Sequence, residues 1–254
     1  MINESLHKKP VALDRQMHRD LRLDRNARDM TRNKSLNAFF IAAGEFADAC
    51  KDFPVVWVPA GQDEQGKPQV APIAVFGLQQ GINLCIDAAD RWRVRYVPVM
   101  LRSYPFAMAR TSATEMVLCV DESWIGFSKE TGERLFNDDG TPTELTLGVQ
   151  RQLEQLEMDV ERSRLYGAKL LELNLLRDMQ FEATLPDGSK LQVNGFLTVD
   201  EDKLNALPDA AMLDLARSGL LGLIHAHQIS LSNMARLAEW HAERLAAGGE
   251  AANS

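Results

Sequence analysis

The chain has 254 residues, of which 45% are hydrophobic and 25% charged, and its formal net charge is −8. This length can bury a substantial core, and the composition is that of a globular protein rather than a fibrous or disordered one. The first twenty residues lack the apolar stretch of a secretory signal and no later run approaches a membrane span, so the sequence predicts a cytoplasmic protein without a membrane-spanning segment.

The N-terminal segment is basic, whereas the rest of the chain is acidic. Residues 1–34 carry nine Lys and Arg against five Asp and Glu. Because the acidic residues interleave with the arginines, we expect this segment to lie on the acidic remainder or in solvent, and not to bind nucleic acid. We therefore predict a basic arm of residues 1–35, a single domain of residues 36–246 and a flexible tail of residues 247–254.

Five short runs rich in valine, isoleucine and aromatic residues predict strands of one mixed or largely antiparallel sheet. They are separated by glycine, proline and aspartate turns and comprise residues 55–58, 70–77, 83–87, 106–109 and 116–121. A short helix over residues 45–51 precedes them, because the following Phe53-Pro54 pair ends a helix.

A long helix is predicted to start at Thr141-Pro142-Thr143-Glu144, with Thr141 as N-cap, Pro142 in the first helical position and Glu144 closing a capping box. Apolar residues then recur every three or four positions to about residue 176, and Gly167 marks a candidate break. The fold class that these elements define is α+β, with the capped helix and C-terminal helices packed on the sheet.

The C-terminal third predicts a β-hairpin and two helices. Residues 181–200 alternate on both sides of a turn at Pro186-Asp187-Gly188, and a helix follows from Pro208 to a glycine cap at Gly219. Apolar residues of the final segment 220–245 repeat in a four-three pattern, which predicts one helix with a packing seam for this domain or for a partner helix.

The stretch Arg91–Arg110 combines arginines, aromatic residues and prolines without an acidic group. Such a segment can stack on an apolar group while its guanidinium groups bind an anion. We therefore predict Trp92, Tyr96, Arg102 and Tyr104 as a binding site for a small anionic ligand. In the alternative interpretation, the aromatic rings are anchors in the core and the arginines pair with acidic residues.

Several apparent motifs are excluded by their spacing, and we predict no metal and no cofactor. The run 61–67 has the spacing of a phosphate-binding loop, but Pro68 stands where a Ser or Thr is required, so it is a hairpin loop. His225 and His227 point to opposite sides of a helix, and His227 is predicted to be a hydrogen-bonded core residue. Asp138-Asp139-Gly140 is a turn. Cys50, Cys85 and Cys119 are predicted to be reduced, buried thiols.

Taken together, the order of several phrases resembles the bacterial SapC family over nearly the whole chain. These phrases include ALDRQMHRDLRLD, RWRVRYVPVMLRSYPF, LFNDDGTPTEL and GFLTVDEDKLNALPDAAMLDLARSGLLGLIHAHQ. The resemblance implies an association with bacterial surface layers, after which the family is named, and with nutrient uptake through outer-membrane receptors. It implies no catalytic residue, and the unrelated peptide-transport permease of the same name is excluded because it requires membrane-spanning helices.

Three functions follow as hypotheses. The first is a non-enzymatic, cytosolic accessory or binding protein of SapC type, linked to surface-layer or nutrient-uptake machinery. The second is an enzyme whose site combines His18, Arg102, Asp121 and a tyrosine. The third is a structural or interaction protein that uses the seam of residues 220–245 to contact a protein partner.

Overall fold

A computed structural model describes residues 2–112, 115–184, 188 and 190–252, and it has the predicted α+β class. The strands are β1 Pro10–Ala12, β2 Arg22–Leu23, β3 Ala38–Phe40, β4 Val55–Gln62, β5 Pro68–Val75, β6 Phe106–Arg110, β7 Met116–Asp121, β8 Phe127–Ser128, β9 Glu133–Arg134, β10 Leu176–Thr184 and β11 Lys190–Val199. The helices are α1 Thr31–Lys34, α2 Phe46–Ala49, α3 Val99–Arg102, α4 Glu144–Glu172, α5 Glu201–Asn205, α6 Asp209–Ser218, α7 Leu220–Ser230 and α8 Asn233–Ala252.

The chain forms two compact units. Unit 1 comprises Met1–Asn33 and Pro98–Met158, and unit 2 comprises Lys34–Val97 and Asp159–Ser254. The helix α4 begins in unit 1 and ends in unit 2. The arm, single domain and tail expected from the sequence stay a prediction.

Unit 1 contains two small antiparallel sheets, ordered β1-β7-β6 and β8-β2-β9. The segment 11–29, which fits a strand or a helix by its pattern, forms a strand at each end of a turn, because β1 and β2 both find partners in these sheets. The strand β7 is the middle strand of the first sheet, and its last four residues, Leu118 to Asp121, are buried.

Unit 2 contains one five-stranded sheet, ordered β10-β11-β4-β5-β3. The loop between β4 and β5 confirms the predicted hairpin: Asp63 Oδ1 accepts hydrogen bonds from the backbone N–H of Gln65 and Lys67, both at 2.9 Å. The hairpin predicted for residues 181–200 consists of β10 and β11, whereas its predicted turn residues Pro186 and Asp187 lie outside the described residues.

The prediction that the five apolar runs form one sheet is wrong. The runs at 55–58 and 70–77 belong to the five-stranded sheet, but those at 106–109 and 116–121 belong to a sheet of unit 1. The run at 83–87 is not a strand, although Ile86 forms an isolated bridge with Trp92. Its local turns explain this, because the Asn83 side chain accepts a hydrogen bond from the Cys85 N–H at 2.9 Å.

The predicted start of α4 is also wrong. The helix begins at Glu144, two residues later than expected, and the Thr143 carbonyl accepts its first hydrogen bond from the Leu147 N–H at 2.9 Å. Pro142 instead forms a bridge with Phe136, and the Thr143 hydroxyl donates to the Arg134 carbonyl at 2.9 Å. These contacts to the preceding segment hold residues 141–143 outside the helix.

Gly167 does not break α4, which is continuous through it. Its small size serves close packing instead, since a Cβ added there would lie 2.8 Å from the Val70 carbonyl oxygen and 3.4 Å from the Trp57 ring. On the same helix, a Cβ added to Gly148 would meet no atom within 4 Å.

Replacing Gly167 by alanine is therefore expected to lower the free energy of unfolding by about 1–3 kcal/mol, because the added methyl group overpacks against a backbone carbonyl. Gly148→Ala is the matched control and is expected to raise it by up to about 1 kcal/mol through helix propensity. Urea denaturation of both variants measures the two effects, and equal stabilisation by both would contradict the packing role of Gly167.

The C-terminal segment differs from the predicted single helix. Helix α6 ends at Gly219, whose φ of 82° is the left-handed conformation expected of a glycine cap. The seam of residues 220–245 is divided between α7 and α8, with Leu231 and Ser232 between them. Its apolar positions Leu220, Ile224 and Met234 are buried in this chain, whereas Leu245 is exposed.

Candidate functional site

A polar recess of about 470 Å³ in unit 2 contains one of the predicted site residues, Tyr96. Its lining consists of Asp48, Lys51, Asp52, Arg95 and Tyr96, which we call the Tyr96 recess. Asp48 lies on α2, Lys51 and Asp52 follow that helix, and the last two lie in the segment between Trp92 and α3. The volume is within the range of sites for small molecules.

The carboxylate of Asp52 fixes the two sides of the Tyr96 recess against each other. Its Oδ2 accepts hydrogen bonds from the backbone N–H of Arg95 at 3.2 Å and of Tyr96 at 2.8 Å. The other oxygen, Oδ1, accepts no hydrogen bond from the part of the chain that the structure describes. The carboxylate therefore retains capacity for a further donor.

The ring of Tyr96 is held in place by a buried acid. Its hydroxyl donates to Glu45 Oε1 at 2.8 Å, and Glu45 Oε2 accepts from the Ala42 N–H at 2.8 Å. Glu45 is 6% exposed, so these hydrogen bonds compensate for the burial of its carboxylate. Tyr96 is half-buried, and its hydroxyl is bound to Glu45.

The two basic side chains of the Tyr96 recess differ in whether they already form an ion pair. Lys51 pairs with Asp48 at 2.9 Å. The guanidinium of Arg95 is exposed and forms neither a hydrogen bond nor an ion pair within the described residues. By contrast, Arg91 pairs with Asp87 at 3.0 Å, and Arg93 pairs with Glu243 at 2.8 Å and lies over the Trp240 ring.

The other predicted site residues have different surroundings. Trp92 is half-buried in unit 2, where its ring packs edge-on against Phe76 with the centroids 5.7 Å apart. Arg102 is exposed at the end of α3 in unit 1. Tyr104, also in unit 1, has its ring next to those of His7 and Trp124. A joint ligand site of these residues with Tyr96 stays a prediction.

Asp121 is the centre of a hydrogen-bond network in unit 1. It is fully buried, and its two oxygens accept hydrogen bonds from one ion-pair partner, two hydroxyl groups and three backbone N–H groups. The donors of this Asp121 cluster are Arg32 Nη1 at 3.0 Å, Tyr104 Oη at 3.0 Å, Ser123 Oγ at 2.6 Å, and the N–H groups of Lys8 at 2.9 Å, Lys9 at 3.0 Å and Ser123 at 3.0 Å.

Within the Asp121 cluster, the pKa of Asp121 is lowered and the pKa of Tyr104 is raised. Burial alone raises the pKa of Asp121, but the hydrogen bonds from Ser123, Lys8 and Lys9 outweigh it, so the pKa lies below its ordinary value. Burial and the neighbouring Asp121 carboxylate raise the pKa of Tyr104 to about 12. The carboxylate is therefore ionised and the phenol protonated at neutral pH.

The residues of the predicted catalytic set are only partly in contact. Asp121 and Tyr104 are hydrogen-bonded, and the guanidinium that pairs with Asp121 is that of Arg32. His18 is buried and its Nε2 lies 3.5 Å from Glu122 Oε1, while its Nδ1 accepts from the Asp14 N–H at 2.9 Å. The carboxylate next to His18 is thus the sequence neighbour of Asp121.

His227 is a hydrogen-bonded core residue, which confirms the prediction. Its Nδ1 donates to the Val55 carbonyl at 2.6 Å, and its Nε2 accepts from the Thr198 hydroxyl at 2.9 Å and from the Val199 N–H at 3.1 Å. This pattern requires the neutral ring with its proton on Nδ1. Burial accordingly lowers the pKa of His227 to about 4.

In two further recesses, charged groups of the lining are already paired. One of about 540 Å³ contains Arg164 and Glu172, but Arg164 already forms two hydrogen bonds with Glu161, at 2.6 and 2.9 Å, and Glu172 pairs with Lys169. Another, of about 360 Å³, lies at Arg19, whose guanidinium donates to the Asp138 carbonyl at 2.9 Å. Arg15 of that recess also forms no hydrogen bond or ion pair in the described chain, but neither of these two recesses has an aromatic residue in its lining, whereas the Tyr96 recess combines such a guanidinium with an aromatic ring.

The cysteines are free, and burial raises the pKa of all three thiols, that of Cys85 to about 12. Cys85 and Cys119 are buried as predicted, but Cys50 is half-buried, because it follows the last turn of the short helix α2 at the surface. Among residues 2–112, 115–184, 188 and 190–252, no group of three or more His, Cys, Asp or Glu side chains could hold a metal ion.

Sequence reasoning found Tyr96 but missed most of its neighbours. The sequence around the predicted short helix shows only ordinary surface charges at Asp48, Lys51 and Asp52. Nothing in the sequence separates Arg95 from the other arginines of its stretch. The only local signal was the Phe53-Pro54 stop, which marks where the α2 segment ends.

The structure thus describes an α+β protein with a small polar recess and, in the described part of the chain, no helix long and apolar enough to cross a membrane. The SapC family model matches residues 13–237, so the chain belongs to the SapC family. A search of curated proteins and a search of solved structures each found no match.

Proposed function

We propose that this SapC-family protein is a non-catalytic binding protein of the cytosol, and that the Tyr96 recess receives a small molecule carrying a carboxylate group. The observation that carries the proposal is the exposed Arg95 guanidinium, which has no partner in the described chain and stands beside a fixed aromatic ring. A guanidinium is suited to bind a carboxylate through two parallel hydrogen bonds.

The non-catalytic part of the proposal rests on the Asp121 cluster. A general base needs a free lone pair towards the substrate, but six donors already occupy the Asp121 carboxylate. The lowered pKa of Asp121 also disfavours proton abstraction at neutral pH. This geometry favours an anchor for the N-terminal segment over an acid–base pair.

The cytosolic part rests on the free thiols, since three unpaired cysteines suit a reducing compartment. A role beside surface-layer or nutrient-uptake machinery rests on family membership alone. The interaction hypothesis finds less support, because the apolar positions of the seam on α7 are buried in the chain itself.

A thermal-shift screen of carboxylic acids, peptides and sugars tests the proposal. We expect stabilisation by carboxylate compounds, and Arg95→Gln is expected to weaken their binding by roughly ten- to hundredfold, because a hydrogen bond to a charged group contributes about 1.5–3 kcal/mol. The matched control is Arg91→Gln, which removes an exposed arginine of the same segment that is already paired with Asp87.

Two results would contradict the proposal. One is stabilisation by carboxylates that Arg95→Gln leaves unchanged, which would place the site elsewhere. The other is turnover by the wild-type protein on a panel of generic hydrolase and transferase substrates, which would make the protein an enzyme.

A further inference from the structure

The charges of the Tyr96 recess are balanced. Lys51 and Arg95 are opposed by Asp48 and Asp52, so the lining carries two positive and two negative groups. A plain anion entering this recess meets two carboxylates, and a plain amine meets an ammonium and a guanidinium group. The anion and the amine are each repelled by the groups of like charge, whereas a molecule that carries both charges can place each next to a group of opposite charge.

The two groups with remaining capacity both belong to the lining of the recess. Asp52 is hydrogen-bonded through Oδ2 to the backbone N–H of Arg95 itself, at 3.2 Å, and its Oδ1 accepts no hydrogen bond within the described residues. The Arg95 guanidinium is likewise without a partner there. One acceptor for an ammonium group and one donor group for a carboxylate thus lie on two different segments of the recess, which this backbone hydrogen bond joins.

The third element of the recess is apolar. Tyr96 lines the recess, and because its hydroxyl is bound to Glu45, its contribution to a ligand there is apolar contact. A volume of about 470 Å³ accommodates a molecule larger than its charged groups alone. An apolar side chain would lie against this ring while the charged groups bind at its edge.

We infer that the ligand of the Tyr96 recess is a zwitterion of the α-amino acid class with an apolar side chain, its carboxylate on Arg95 and its ammonium group on Asp52. This inference rests on the proposed function and narrows it, because a simple carboxylate would satisfy the proposal without needing the acidic side of the recess. The two carboxylates of the recess then serve as the specificity element.

Isothermal titration with three probes that share one ring tests the inference: L-phenylalanine, 3-phenylpropionate, which lacks the ammonium group, and 2-phenylethylamine, which lacks the carboxylate. We expect L-phenylalanine to bind more tightly than either analogue by at least about tenfold, one charge-assisted contact. Asp52→Asn should abolish its advantage over 3-phenylpropionate, and Arg95→Gln its advantage over 2-phenylethylamine. The urea midpoint of each variant verifies folding.

The outcomes separate the inference from the proposed function. If 3-phenylpropionate binds as tightly as L-phenylalanine and Arg95→Gln weakens both, the zwitterion is overturned and the carboxylate-binding function stands. If none of the three probes binds, the inference is overturned, and the thermal-shift screen of carboxylic acids decides the proposed function. If Asp52→Asn unfolds the protein, the wild-type titrations decide, and equal affinity for L-phenylalanine and 3-phenylpropionate overturns the inference.

Discussion

Asp121→Asn is expected to lower the free energy of unfolding by about 3–5 kcal/mol, the range for removing one partner of a buried ion pair. Asparagine keeps a single acceptor oxygen, and its amide N–H groups would face some of the donors that the carboxylate now satisfies. The Arg32 guanidinium, whose side chain is 13% exposed, would also lose its ion-pair partner. Urea denaturation at pH 7 measures the difference.

The effect of Asp121→Asn should depend on pH in a defined direction. The pKa of Asp121 is lowered in the folded protein, so its stabilising contribution is complete above the unfolded value of about 3.9 and is lost as pH falls below it. The gap between wild type and variant should therefore be full at pH 7 and narrow in more acidic solution. Asp20→Asn, which alters an exposed carboxylate in the same unit, is the control and should change stability by no more than about 0.5 kcal/mol.

If the free energies of unfolding of Asp121→Asn and wild type differ by less than about 1 kcal/mol, the anchoring role of the cluster is contradicted. One ordinary hydrogen bond already contributes that much. That result would favour a catalytic role for the buried carboxylate, as in the second hypothesis.

The second large effect is acid destabilisation through His227. The folded pKa of about 4 lies below the ordinary value of 6.5, so between these pH values the unfolded chain binds a proton that the folded protein does not. Stability is therefore fully present above pH 6.5 and decreases as pH falls towards 4, by about 3 kcal/mol from this residue at 1.36 kcal/mol per pKa unit. Burial also lowers the pKa of His7 and of His241, which adds in the same direction.

His227→Gln separates this contribution from the others. The variant should be less stable than wild type at pH 7.5, because glutamine cannot reproduce all three hydrogen bonds, but its stability should fall less steeply between pH 6.5 and 4. The matched control is His225→Gln on the same helix, which alters an exposed histidine and should leave the pH dependence unchanged. Denaturation curves at several pH values give both slopes, and parallel slopes for His227→Gln and wild type would refute the assignment.

Local patterns predicted most elements of the fold. The run 116–121 coincides with β7, the glycine cap at Gly219 ends α6, and His227 lies in the core with hydrogen-bond partners. Two predictions failed where another segment competed with a local pattern. The Thr143 hydroxyl donates to the Arg134 carbonyl, and α4 begins after this residue. At Gly167 the helix is continuous, and a glycine is needed because the Val70 carbonyl lies close to it.

For the candidate site, the sequence identified the right kind of segment but only one residue of the recess. Tyr96 belonged to the predicted set, whereas its contacts with Glu45 and Asp52 join positions 51 and 44 residues apart in the chain. No periodicity reports such contacts, because periodicity reflects which face of one element is buried and not which other element covers it.

By itself, then, the sequence determined the α+β class, the resemblance to SapC proteins and the buried character of the apolar runs, since each follows from residue types and their spacing along one element. Only the tertiary structure decided that the predicted strands divide between separate sheets, that six donors surround the Asp121 carboxylate, and that the Arg95 guanidinium forms no hydrogen bond or ion pair in the described chain. These features depend on which distant groups satisfy a given hydrogen-bonding or charged atom, and that pairing is fixed by the packing of the folded chain.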